Sequence, residues 1–195
     1  MLTPEVLAEL RRRYGEPHRA FHDWARVGEL LDMAEEVAHG IADRTAVILA
    51  ILFHRAVFDP RLPDAAGRSV ATMHELIGAS LPGGTLDRAA MLIRAVSEQQ
   101  IPQTEDPSLR GDAALLLDFE HAVLGSEEAR YTAYEAAIRR EFPHLPDDRY
   151  RQARAAMLTM HLWKDRIFIT DRFHLDREKR ARRNIAKAIA ALDDA

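Results

Sequence analysis

Nine histidines and no cysteine set the terms for any chemistry this 195-residue chain can do. Without thiols there is no disulfide, no thiolate nucleophile, no cysteine-held iron–sulfur cluster and no thiolate zinc site. A metal would have to be held by histidine, carboxylate and water. The sequence carries no Gly-rich phosphate loop, no H-E-x-x-H helix and no G-x-S-x-G elbow. Three neighbourhoods remain. His18 and His22 stand four residues apart, which puts them on one face of a helix, where two imidazoles can bind a metal or an anion. His54 closes the apolar run Ala46–Phe53, at the point where a buried helix would open onto a site. Asp118 sits among Leu116, Leu117 and Phe119, and an isolated carboxylate in such a place is costly unless a cation or several donors meet it. Together they outline a three-helix metal or anion site. His39, His144, His161 and His174 are expected at the surface or hydrogen-bonded in the core.

The elements that must carry these residues read as helices. Thr3 caps a first helix with Pro4 at its first position. Phe21, Trp24, Val27, Leu31, Ala34 and Ala38 recur at spacings of three and four, so a second helix is expected from about His18 to Ala38. Asp43 caps the helix of the apolar run, and an all-apolar helix is usually central. A short helix is expected at Ser69–Gly78, and one capped by Thr85 reaching Gln99 or Gln100. Ile101–Gly111 reads as a loop over a pocket. Further helices are expected near Asp112–Val123, Ser126–Glu141, Asp147–Trp163 and Asp176–Leu192, with Arg166–Thr170 alternating as a strand. No repeat or linker is visible, so the expectation is one all-α domain, a compact helical bundle over 1–195.

Composition narrows the class of function. Charged residues make up 30% and hydrophobic residues 47% of the chain, ordinary for a globular protein. The net charge of -4 argues against binding a nucleic acid polymer. The basic runs Arg11–Arg13 and Arg177–Lys187 read as solvated helix faces. The eight apolar residues of Ala46–Phe53 fall far short of the roughly 20 a membrane span needs. No secretory signal stands at the start of the sequence, so a cytoplasmic protein away from membranes is expected.

Beyond composition, the motifs resemble a family. Tyr14, Glu16, Pro17, His18, Arg19, Phe21 and His22 are similar to the opening motif of the HD-domain superfamily, in its small bacterial branch of metal-dependent HD phosphohydrolases. Phe53, His54, Val57, Phe58, Asp59, Pro60, Asp64, Arg68 and Ser69 resemble its second motif, and Leu117, Asp118, Ala122, Leu124 and Gly125 its third. Arg139, Glu141, Arg166, Ile167, Phe168, Glu178, Ala181, Arg182, Asn184 and Ile185 resemble its tail. The resemblance implies a bundle of the HD-domain type and a hydrolase site built on His22, His54 and Asp118. The aspartate of the histidine–aspartate doublet is Arg55 in this chain. Arg26 stands where the branch has a further histidine, Ala65 and Ala66 replace asparagine–glutamate, Gln99 replaces a histidine and Glu120 an aspartate.

The replacement of a carboxylate by guanidinium has a direct consequence. A divalent ion needs lone pairs, and Arg55 offers none while adding a permanent positive charge. The expectation is therefore a pseudoenzyme, a degenerate HD-fold protein without cofactor, with His22, His54, Arg55 and Asp118 as its vestigial site. His18, Arg19, Arg26 and Arg55 are the anion-binding candidates, for a phosphorylated small molecule or nucleotide. Two alternatives stand beside it. One is an active phosphohydrolase whose divalent metal ion is held by His22, His54, Asp118 and Glu120. The other is a protein-interaction or dimerisation module with no ligand, for which a homodimer is one arrangement. No catalytic residue is assigned. Two geometric expectations follow: His22 and His54 share a pocket without ligating a metal, and Arg55 pairs with Asp118 or Glu120, directly or through one water.

Overall fold

The Thr3 hydroxyl accepts from the Val6 amide at 3.4 Å, and Pro4 takes the first helical position of α1 (Pro4–Tyr14). A computed structural model describes residues 2–193, and the chain is all-α: every regular element among them is helical. No helix among the described residues is long and apolar enough to cross a membrane. The chain divides into two compact units, Met1–Phe119 and Glu120–Ala195.

The first unit continues with α2 (Trp24–Glu36), α3 (Arg44–Phe53), α4 (Ala65–Ile77), α5 (Gly83–Glu98) and α6 (Pro107–His121), the last of these running past the unit boundary. Asp43 caps α3 as expected, its carboxylate accepting from the Ala46 amide at 2.9 Å. Seven residues of α3 are buried. It packs against α2, α4 and α5, so its apolar run forms the centre of this unit. Buried Leu, Ile and Phe side chains each contribute about 1.5–3 kcal/mol. Arg88 on α5 links the helix starts, facing Asp43 at 3.3 Å, Asp112 at 3.6 Å and Asp106. The buried Asp112 carboxylate accepts from the amides of Ala42 and Asp43 at 2.7 and 2.9 Å.

Several boundaries differ from the sequence expectation. The second helix begins at Trp24 rather than His18, because Asp23 caps it, accepting from the Arg26 amide at 3.0 Å. His18 and His22 therefore lie on a loop, not on a helix face. Thr85 caps nothing, since α5 already begins at Gly83 behind Pro82. The expected loop over a pocket is shorter than Ile101–Gly111, because Asp106 accepts from the amides of Ser108 and Leu109 and starts α6 at Pro107.

The second unit holds a 3-10 turn (Ala122–Gly125), α7 (Glu128–Glu141), α8 (Asp147–Trp163) and α9 (Asp171–Asp193). α9 packs on α8 and on the 3-10 turn. At Gly125 a Cβ would lie 2.6 Å from the Arg177 Cβ and 2.9 Å from its carbonyl oxygen, so only glycine lets this turn approach α9. The Asn184 amide donates to the carbonyls of Leu124 and Ser126, both at 2.9 Å. Residues 166–170 form no strand. The amides of Ile167 and Phe168 donate to the Glu178 carboxylate at 3.1 and 3.2 Å instead of to a neighbouring strand. Arg182 donates to the carbonyls of Leu162 and Lys164, at 3.0 and 2.7 Å. Tail residues quoted for the family resemblance thus bind this connection to α9.

Candidate anion-binding face

The loop between α1 and α2 is fastened to the end of α3. Gly15 closes α1, and Pro17 limits helical continuation, so the chain from Gly15 to Asp23 is irregular. The Tyr14 hydroxyl donates to the Leu52 carbonyl at 3.1 Å and accepts from the Arg55 amide at 3.2 Å. Arg19, its side chain wholly buried, donates to Glu16 at 3.1 Å and to the carbonyls of His22 and Arg55 at 3.1 and 2.7 Å. The Arg19 guanidinium also lies 5.0 Å from the Tyr14 ring centroid and 5.4 Å from that of Phe58.

Phe58 is the hub of the arrangement. The His18 ring stacks on it at 6.1 Å and donates from Nε2 to the Phe58 carbonyl at 2.7 Å. The His22 ring meets it at 4.7 Å, and the Arg55 guanidinium lies 5.6 Å from its centroid. His18, Arg19, His22 and Arg55 are thus brought around one aromatic ring. His18 is exposed, His22 and Arg55 half-buried, and Arg19 buried. Arg26 belongs elsewhere: it is buried on α2, donates to Glu29 at 3.0 Å and to the Phe119 carbonyl at 2.9 Å, and covers the Phe21 ring. Asp118, the neighbour of Phe119, is fully buried in α6. His54 is buried at the end of α3, its Nδ1 donating to the Ile51 carbonyl at 2.8 Å.

Within the first unit Arg55 makes no ion pair among the described residues, with Asp118 or any other carboxylate. The reason is local. Tyr14 and Arg19 take its backbone amide and carbonyl, and its side chain runs along Phe58, with a buried Nε that has no hydrogen-bond partner. Two carboxylates of these segments are matched by other cations. Glu16 is held by Arg19. Asp59 is held well below the usual carboxylate range by the Arg61 guanidinium, 2.7 Å away, and by the Arg61 amide.

A resident divalent ion needs several lone-pair donors brought together. No group of three histidine, aspartate or glutamate side chains among the described residues is placed to hold one. At the doublet position Arg55 has no lone pair to give. No family model matches the chain, and no curated protein or solved structure matches it. Two organising residues were missed at the level of sequence, Phe58 as the hub and Tyr14 as a bridge. The available signal was that both aromatics stand beside the cationic residues of the two motifs.

Proposed function

We propose that this chain is a degenerate, cytoplasmic protein of the HD type, whose loop face at His18, His22 and Arg55 binds a phosphorylated small molecule or nucleotide without a metal. One observation carries the reading: Arg55 is a half-buried guanidinium with no ion pair among the described residues of its unit and an unpartnered Nε, flanked by two imidazoles on one aromatic ring. A guanidinium fork matches phosphate oxygens bidentately, and a partly desolvated cation binds an anion more strongly than one in open water. The His18 and His22 rings stand beside it on the same aromatic ring. Arg19 and Arg26 drop out of the anion-binding set, because their guanidinium groups are buried and occupied by carboxylates and carbonyls.

Calorimetric titration with inorganic phosphate and with a nucleoside monophosphate tests this. Binding is expected in both cases, and Arg55→Ala should weaken it about tenfold or more while leaving the melting temperature unchanged. Equal affinity in the variant, or no binding by the parent, rejects the assignment. Stoichiometric metal in the purified protein, together with phosphatase activity lost on His54→Ala, would replace it with the active hydrolase.

A further inference from the structure

The outward face of α8 has no role in the anion-binding face or in the core. Arg149, Gln152, Ala153, Ala156, Met160 and Trp163 recur at helical spacing along it, and all are exposed. Trp163 is 79% and Met160 61% exposed. From Gln152 to Trp163 the one charged residue other than a histidine is Arg154, and it is buried in a bidentate pair with Glu135 at 2.9 and 2.7 Å. Three turns of helix thus show solvent a face without charge. A contiguous exposed apolar patch of this kind marks an interaction site.

We infer that this face pairs with α8 of a second copy of the chain, antiparallel about a two-fold axis at Ala156. The pattern is complementary to itself in that register. Ala156 at the crossing lets the two backbones approach closely. Met160 then lies over Ala153 of the other copy, a large side chain against a small one. Arg149, about 21 Å along the helix from Trp163, comes to rest on the Trp163 ring of the other copy. Arg149 makes no ion pair among the described residues, and an exposed indole is the best ring for a cation–π contact. A strongly charged partner would find one charged group on this face, Arg149 at its end, whereas the uncharged stripe between Arg149 and Trp163 supplies both halves of its own contact. A two-fold interface requires this kind of self-match.

Sedimentation of the full-length chain over a concentration series should give a dimer. Ala156→Glu sets two carboxylates against each other across the axis and should weaken the dimer about tenfold or more, with helical content by circular dichroism unchanged. Because the chain has no cysteine, Ala156→Cys introduces its only thiol, and mild oxidation should cross-link two copies. Met160→Cys, which this register places opposite Ala153, should stay uncrosslinked. A monomer throughout the series overturns the inference and leaves the face to another partner. A dimer indifferent to Ala156→Glu, or one that cross-links through Met160→Cys and not Ala156→Cys, overturns it as well.

Discussion

Arg19 and Arg55 have the same side chain and lie within one cluster, yet their surroundings assign them different work. Arg19 is wholly buried, and its donors meet Glu16 and the carbonyls of His22 and Arg55, so it joins the loop after α1 to the end of α3. Arg55 makes no ion pair among the described residues of its unit, and its buried Nε has no hydrogen-bond partner. Truncating Arg19 leaves buried carbonyls without donors, so Arg19→Ala should destabilise the first unit by about 3 kcal/mol, measured by denaturant unfolding. Arg19→Lys should recover little of this, because an ammonium cannot reproduce a planar fork shared among three acceptors. A Lys variant as stable as the parent would show that charge alone holds the loop. The sequence marked both arginines as anion binders because type and spacing carry no information on burial. What separates them is a set of contacts more than 30 positions apart in the chain.

At the scale of elements, the sequence was legible wherever a helix start lay in adjacent residues. Thr3–Pro4, Asp43 and the bounds of α8 stand as the residue types indicate. It was misleading where an apolar stripe continued past a cap, as from Phe21 into α2, or where a distant side chain satisfied the backbone. Residues 166–170 alternate like a strand, but the amides of Ile167 and Phe168 are met by Glu178, placed by a helix that had not yet begun. The end of α5 is another local feature. Gln99 adopts the left-handed conformation, with φ of 53°, and its amide bonds to the Val96 carbonyl at 3.3 Å. A side chain pays for that conformation and glycine does not. Gln99→Gly should therefore be neutral or stabilise by up to about 1 kcal/mol, despite glycine's entropy cost elsewhere in helices. A drop in melting temperature would mean that the Gln99 side chain contributes more than its backbone strain removes.

For the whole molecule the clearest global observable is acid stability, and His161 sets its upper window. His161 is 4% exposed on α8, with its ring 5.0 Å from that of His121. Burial, with the cations Lys164 and Arg154 adding to it, lowers its pKa from 6.5 to about 4. The unfolded chain therefore takes up this proton near pH 6.5, whereas the folded chain resists it until about pH 4. Stability is complete above pH 6.5 and declines as pH falls toward 4, by up to about 1.4 kcal/mol per unit and on the order of 3 kcal/mol in all. Glu178 acts in a lower window. Its burial alone would raise its pKa, but the amides of Ile167 and Phe168 and the Arg182 guanidinium outweigh that and hold it below 4.5. Its contribution is lost only as pH falls below the range in which a free carboxylate titrates. The two windows separate in a pH series of denaturant melts. His161→Phe keeps a ring beside His121 but has no proton to gain, so its stability should stay level between pH 6.5 and 5, where the parent declines. The variant should still weaken below pH 4.5, where the Glu178 carboxylate is protonated. If parent and variant decline in parallel above pH 5, another group carries the acid sensitivity and the buried imidazole does not.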